Sequence, residues 1–140
     1  MTKSCVFCGI ARGDVPANVV LEDEAFVAFL DTKPLFHGHV LVVPRAHVVT
    51  LPELPPEALA PLFAHVRELA RAVPEAMGAE GSFVAMNNVV SQSVPHLHVH
   101  VVPRKKGDGL KGFFWPRHAY ADDAQRAEVA ARIRAAVGRT

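Results

Sequence analysis

The chain has 140 residues, of which 50% are hydrophobic and 21% are charged. This length suits one well-packed domain, and the composition excludes a disordered or fibrous chain. A formal net charge of +1, with no run of five like charges, argues against nucleic acid or a membrane surface as a partner and favours a small ligand. Because no stretch has the pattern of a signal peptide or a membrane span, we expect a cytoplasmic protein.

The first part of the chain predicts three short strands. Two β-rich segments flank an acidic pair at 23–24 and predict a hairpin, and a third segment follows a turn at 34–38. The predicted strands are Val19–Glu22, Ala25–Leu30 and His39–Val43. Asp31 then lies at the end of the second strand, and His47 lies in the loop after the third.

From Pro55 onward, apolar residues recur at spacings of three and four, which predicts a main helix with one buried face. The residues on that face are Leu59, Leu62, Phe63, Val66, Leu69, Ala70 and Val73. Pro61 and Pro74 lie within the pattern and lack a backbone donor, so we expect an irregular first turn and a break or kink near Pro74.

Two further strands and a second helix complete the predicted fold. The strands are Phe83–Asn87 and Leu97–Val102, and the helix begins at the capping pair Asp122-Asp123 and carries Val129, Ile133 and Val137. Strands, helix, strands and helix with short connections predict an α+β domain with an antiparallel sheet of about five strands, rather than a parallel βαβ fold.

Three histidines alternate with apolar residues in the last predicted strand. His96, His98 and His100 therefore point to one face. Near neutral pH an imidazole can act as a nucleophile, a general acid or base, a cation for phosphate oxygens or a metal ligand. A solvated strand face and a three-histidine metal site are the alternatives. The second is disfavoured because three residues in one row do not readily converge on one ion.

Cys5 and Cys8 are the two cysteines of the chain and form a C-x-x-C motif. In a reduced compartment, such a pair indicates metal binding or redox chemistry before a structural disulfide. The motif alone does not decide between these, because a metal site needs two further ligands.

The segment from His96 to Val102 matches the His-φ-His-φ-His-φ-φ motif of the histidine triad (HIT) family, and the chain resembles the bacterial zinc-containing branch of that family. The other matching segments are Cys5–Ile10, Gly13–Pro16, Ala28–Asp31, Gly38–Pro44, Gln92–Val94 and Pro103–Arg104. The resemblance implies a HIT-like fold over a single domain of residues 1–140, with the motifs in 5–104 and a C-terminal segment at 105–140. It also implies a twofold homodimer with packed main helices and a sheet that continues across the interface.

The resemblance implies that His98 attacks the α-phosphorus of a purine nucleotide conjugate and forms a nucleotidyl-histidine that water cleaves. This attack needs one unprotonated ring nitrogen, so we expect a backbone carbonyl to bind the other. The family pattern also assigns contacts with the phosphate or leaving group to His100, Ser93, Gln92 and either Asn88 or Asn87, contact with the ribose hydroxyls to Asp31, and contact with the base to Phe7 and Ile10. Ser91 stands where the family usually has glycine, in a loop that is shorter than in many relatives.

For the cysteine pair, the resemblance implies a structural zinc site completed by His47 and His96. Two thiolates and two imidazoles form a closed tetrahedral set with no position for a catalytic water. His96 then binds the metal, His98 attacks and His100 binds phosphate. No organic cofactor is expected.

The resulting expectation is a nucleotidyl hydrolase or transferase that acts on nucleoside phosphoramidates. A dinucleoside polyphosphate hydrolase is one alternative, and a nucleotide-binding or partner-binding protein with incidental activity is another. We interpret Arg104–Lys106 as a solvated turn, with contact to distal phosphates as the alternative reading.

Overall fold

The computed structural model describes residues 5–110 and 117–138. The chain forms two compact units, Met1–Asp108 and Gly109–Thr140. The first unit contains a five-stranded antiparallel sheet with the order β1-β2-β3-β5-β4. The elements are α1 (Val6–Arg12), β1 (Val19–Glu22), β2 (Phe26–Leu30), β3 (Val40–Pro44), a 3-10 turn (Leu51–Glu53), α2 (Pro56–Met77), β4 (Gly81–Ala85), β5 (Val99–Arg104) and α3 (Asp123–Val137). Among the described helices, none is long and apolar enough to cross a membrane.

The predicted α+β fold with a five-stranded antiparallel sheet is confirmed. Four of the five strands begin at other residues than predicted: β2 begins at Phe26, β3 at Val40, β4 at Gly81 and β5 at Val99. The residues before β5 leave the ladder because the Leu97 N–H donates to the carbonyl oxygen of Val48 in a loop. Of the three histidines, only His100 therefore lies within the regular strand.

Helix α2 runs unbroken through Pro61 and Pro74, so the expected break is wrong. A proline inside a helix costs about 3 kcal/mol, whereas full burial of a large apolar side chain contributes about 1.5–3 kcal/mol. Four large side chains of α2 are buried against the sheet and outweigh both prolines; they are Leu62, Val66, Leu69 and Val73. Leu59 and Phe63, predicted on the buried face, are each 41% exposed because they lie on its flank.

Strand alternation divides the apolar side chains between the two faces of the sheet. One set packs with α2 and includes Phe26, Ala28, Val40, Val42, Leu97, Val99 and Val101. The other set packs with Phe7 of α1 and comprises Val27, Phe29, Leu41 and Val43. The histidines have the opposite parity to Leu97 and Val99, so they face the side of the sheet that α1 covers.

Helix α1 was not predicted from the sequence. Cys5 caps its start, with Sγ accepting the Cys8 N–H at 3.5 Å, and Gly13 ends it in the left-handed conformation with φ of 84°. In the second unit, Asp122 caps α3 by accepting the Gln125 N–H at 2.8 Å, as the acidic pair predicts. Helix α3 has no buried residue, and its Ile133 and Val137 are exposed.

Candidate active site and metal centre

His98 is a buried imidazole with one ring nitrogen already bonded. Its side chain belongs to a residue that is 4% exposed, and its Nδ1 lies 2.8 Å from the carbonyl oxygen of His96. Because a carbonyl oxygen only accepts, Nδ1 carries a hydrogen, and in the neutral imidazole Nε2 then keeps its lone pair. His96 supplies the backbone acceptor that the chemistry requires. Because His96 and His98 are buried, the alternative that the three histidines lie on a solvated strand face is excluded.

His100 is held by a histidine that sequence reasoning missed. The Leu35 N–H donates to His39 Nδ1 at 3.1 Å, and His39 Nε2 lies 2.9 Å from His100 Nδ1. A neutral His39 that accepts at Nδ1 carries its hydrogen at Nε2, so it donates to His100 Nδ1. His100 in turn carries its own hydrogen at Nε2, where it can serve as a donor to an anionic ligand.

Burial keeps both of these imidazoles neutral. It lowers the pKa of His39, with the Asp31 carboxylate opposing the shift. It also lowers the pKa of His100 to about 4, and repulsion from His98 and His39 adds to the effect. The neutral forms are the ones that the hydrogen-bond chain requires.

Asp31, His39 and His100 also have ligand atoms within 4.8 Å of one another, which is close enough to hold a metal ion. The Asp31 carboxylate lies 3.6 Å from His39 Nε2. A metal at that nitrogen would require a hydrogen on His39 Nδ1, which would then oppose the Leu35 N–H. The contacts therefore favour a hydrogen-bond chain here over a metal site.

A cavity of about 690 Å³ lies beside these histidines. Its polar lining includes His98, His100, Ser93 and Asp31, and its apolar lining includes Phe7 and Ile10, all of them predicted site residues. Apolar wall residues that the sequence did not single out are Val6, Val15, Pro16, Phe29 and Leu41. A cavity with an apolar wall and a cluster of polar groups has the form of a small-molecule site.

Three further predicted residues do not line this cavity. Asn88 Oδ1 accepts the Leu51 N–H at 2.7 Å, and Asn87 Nδ2 donates to the Ser91 carbonyl oxygen at 3.1 Å. Gln92 Nε2 donates to the Val49 carbonyl oxygen at 2.6 Å. Their side chains therefore hold the loop that leads to Ser93.

The same loop contains two residues with left-handed backbone conformation, Val89 at φ of 73° and Ser91 at φ of 62°. Residues other than glycine adopt this region at a cost. The conformation explains why the family pattern has a glycine where this chain has Ser91.

The other predicted cluster lies at the start of α1. Cys5 Sγ and Cys8 Sγ lie 3.3 Å and 3.5 Å from His96 Nδ1, and Cys8 Sγ lies 3.3 Å from His47 Nδ1. The two Nδ1 atoms are 3.2 Å apart. The four ligand atoms converge on one point, within 4.8 Å of one another.

These distances fit a tetrahedral zinc ion. With Zn–S of about 2.3 Å and Zn–N of about 2.05 Å, tetrahedral angles place sulfur and nitrogen ligands about 3.6 Å apart and two nitrogen ligands about 3.3 Å apart. His96 Nε2 donates to the Pro44 carbonyl oxygen at 2.7 Å, which leaves Nδ1 free for a metal. Burial and the neighbouring Cys5 raise the pKa of the Cys8 thiol, so two thiolates here need a cation.

Arg104 forms ion pairs with Asp108, at 2.7 Å between Nε and the carboxylate, and the Lys105 N–H donates to the same carboxylate. The Lys106 N–H donates to Glu80. These bonds form a turn. Arg104, Lys105 and Lys106 do not line the cavity beside His98.

Comparisons with known proteins identify the family of the chain. The family model described as HIT domain matches residues 12–107. The adenylylsulfatase of Arabidopsis thaliana is 38% identical over 112 residues, which cover 79% of this chain and 57% of that protein. The adenosine 5'-monophosphoramidase of Schizosaccharomyces pombe is 32% identical over 136 residues, 94% of this chain and 99% of that protein.

Two solved structures share the fold. A HIT family protein from Bacillus subtilis superposes with a TM-score of 0.88 at 34% identity, covering 99% of this chain and 100% of that one. A zinc-bound histidine triad family protein from Mycobacterium smegmatis gives a TM-score of 0.73 at 39% identity, covering 95% and 97%.

Proposed function

The chain belongs to the histidine triad family and is a hydrolase of that family, and we propose that it cleaves purine nucleotide conjugates at the α-phosphate through a nucleotidyl-histidine. The observation that carries the proposal is the bonding of His98. Its Nδ1 donates to the His96 carbonyl oxygen, so the neutral ring offers the lone pair of Nε2 for attack, and His98 lines the cavity.

In the first step, His98 Nε2 attacks the α-phosphorus and the bond to the leaving group breaks. His100 Nε2–H, fixed by His39, donates to a nonbridging phosphate oxygen as charge develops there. The leaving nitrogen takes up one proton from solvent, with the Ser93 hydroxyl as its hydrogen-bond donor, and departs as the neutral amine. In the second step, water attacks the phosphorus and gives up one proton to solvent, the P–N bond to His98 breaks with its electron pair returning to Nε2, and the nucleoside monophosphate is released with His98 restored.

The nucleoside part occupies the apolar end of the cavity. Val6, Ile10, Phe29 and Leu41 supply walls for a purine ring, and Asp31 accepts hydrogen bonds from the ribose hydroxyls. The two named relatives support the substrate class, because adenylyl sulfate and adenosine monophosphoramidate both carry a leaving group on the phosphorus of AMP. We propose a nucleoside phosphoramidate as the substrate.

We further propose that Cys5, Cys8, His47 and His96 hold a structural zinc ion. A bound zinc supplies a cation that stabilises the two thiolates and ties α1 to the histidine segment. The zinc-bound relative supports this assignment. No catalytic step passes through the metal, because four protein ligands leave it no open position.

We also propose that the protein is a cytoplasmic homodimer and that residues 1–140 of each chain form a single domain. β4 lies at an edge of the sheet, and its Val84 is exposed, as are Leu59 and Phe63 on α2. An unpaired strand edge next to exposed apolar side chains is suited to pairing with a second copy of the chain.

The test is a parallel assay of adenosine 5'-phosphoramidate and a diadenosine polyphosphate with the wild type and His98→Ala. We expect turnover of the phosphoramidate by the wild type and a loss of at least about 10³-fold in the variant. Equal activity of the two proteins would overturn the role of His98. Faster turnover of the diadenosine compound would assign the second substrate class, and inertness towards both would favour a nucleotide-binding protein.

A further inference from the structure

Phe7 packs directly against the nucleophile. Its ring meets the His98 ring edge-on, with centroids 5.1 Å apart and planes at 78°. The same ring contacts His96 at 5.9 Å and Phe29 at 5.4 Å. An edge-to-face contact of this kind has a preferred geometry and restricts the tilt of both rings.

Phe7 offers little surface to a ligand, although it lines the cavity. It is 7% exposed, whereas Val6 on the same helix is 44% exposed and Ile10 is half-buried. The surface that α1 presents to a nucleoside therefore comes mainly from Val6 and Ile10. The ring of Phe7 contacts the rings of Phe29, His96 and His98.

The position of Phe7 depends on the residues that flank it. Cys5 and Cys8 belong to the group of four residues proposed to hold zinc, and Phe7 lies between them in the first turn of α1. Seven residues are too few for a helix that is stable by itself, so α1 needs anchors. At its other end, Arg45 Nη1 donates to the Ala11 carbonyl oxygen at 2.6 Å.

We infer that Phe7 is a positioning residue for His98, and that the cysteine cluster acts on catalysis by holding Phe7 in place. The hydrogen bond to the His96 carbonyl oxygen fixes which nitrogen of His98 is unprotonated, and the Phe7 ring fixes the tilt of the imidazole. The inference rests on the proposed function and adds a second constraint on the nucleophile. A displacement of an attacking atom by about 1 Å can cost about 100-fold in rate.

The first test compares Phe7→Leu with Ile10→Ala in the zinc-loaded protein. Phe7→Leu keeps an apolar side chain but removes the ring edge, so we expect kcat to fall about 10- to 100-fold while KM changes less than about threefold. Ile10→Ala is the matched control on the same helix, and there we expect a higher KM with kcat nearly unchanged. A rise in KM alone for Phe7→Leu would show that Phe7 is only a wall for the base and would overturn the inference.

Folding is monitored through zinc content and the melting temperature, and Phe7→Met serves as a second variant if Phe7→Leu does not fold. The dissociation constant for AMP gives a readout that does not depend on turnover. We expect AMP to bind Phe7→Leu or Phe7→Met within about threefold of the wild type. A larger loss of AMP affinity would contradict the positioning role.

The second test removes the metal with a chelator and follows amide hydrogen exchange. We expect faster exchange both in residues 6–12 and in residues 97–100, and a fall in kcat that is much smaller in Phe7→Leu than in the wild type. Faster exchange confined to residues 6–12, with kcat unchanged, would overturn the proposed link between the cysteine cluster and the position of His98. The proposed function is refuted by a different result, namely a His98→Ala variant that retains activity.

Discussion

The Nε2 atom of His39 lies 2.9 Å from the Nδ1 atom of His100, while the other nitrogen of His39 accepts the backbone N–H of Leu35. These hydrogen bonds set the hydrogen positions of both rings, because the Leu35 N–H at their start can only donate. His100 therefore presents an N–H to the cavity without needing a positive charge.

Replacing His39 by leucine removes the donor to His100 Nδ1 and frees the His100 ring to adopt the other tautomer. We expect kcat to fall about 10- to 100-fold with a small change in KM, because the lost contact acts on the phosphate donor. His39→Gln can still donate from its amide and is the matched control, with partial recovery of kcat expected. Steady-state kinetics on the phosphoramidate measure both, and wild-type kcat in His39→Leu would refute the role.

Stability is expected to fall as the pH is lowered from about 6.5 towards 4. Folding lowers the pKa of His100 from 6.5 to about 4 through burial and repulsion from His98 and His39, so the unfolded chain binds a proton in this window that the folded chain does not. Urea unfolding at pH 7 and pH 5 should show a decrease that is smaller in His100→Asn by up to about 2 kcal/mol. Both proteins must retain equal zinc, and identical decreases would contradict the prediction.

The hairpin between β1 and β2 has a polar contact with α2 that is open to a separate test. Burial acts to raise the pKa of Asp23, but hydrogen bonds from the Ala25 and Phe26 N–H groups and from His65 outweigh it and lower the pKa. We expect Asp23→Asn to lower the free energy of unfolding by about 1 kcal/mol, a modest value because the side chain is partly exposed.

The Asp23 carboxylate stabilises the fold in its ionised form, so its contribution is lost as the pH falls through its lowered pKa. Urea unfolding near neutral pH measures the effect of Asp23→Asn. Asp23 lies outside the cavity beside His98, so kcat should stay at the wild-type value. An unchanged free energy of unfolding would show that these bonds make no net contribution.

Metal content provides a further prediction. We expect one zinc ion per chain in the wild type and a loss of most of it in a Cys5→Ala, Cys8→Ala double variant, because two imidazoles alone bind zinc weakly. The melting temperature should fall by more than about 5 °C, since metal binding contributes to the stability of the folded state. Elemental analysis and thermal unfolding measure the two effects. Full zinc retention by the double variant would exclude the assignment.

The histidine row and the sheet could be predicted because their signals are local. Alternation of histidine with aliphatic residues identifies the two faces of an extended segment that leads into β5, and that alternation needs no knowledge of the rest of the fold. The convergence of Cys5 and Cys8 with His47 and His96 followed from the family resemblance rather than from spacing. The structure brings these four residues together from three separate segments.

Other features depend on contacts between segments that are distant in the sequence. Helix α1 is short, and packing of Phe7 on Phe29 helps to hold it, so its periodicity gave no signal. The role of His39 requires the pairing of β3 with β5, which places Leu41 opposite His100 and His39 diagonally next to it. His39 directly precedes β3 and has the same parity as Leu41, and that parity is the signal that could have identified it.

The most direct test of the nucleophile is to trap the covalent intermediate. Wild-type protein and His98→Ala are mixed with adenosine 5'-phosphoramidate, quenched within milliseconds under conditions that preserve P–N bonds, and examined by peptide mass spectrometry. We expect an adenylyl group on His98 in the wild type, formed and lost at rates consistent with kcat, and none in His98→Ala. Turnover of the phosphoramidate with the adenylyl group on another residue, or with equal rates in both proteins, would contradict it.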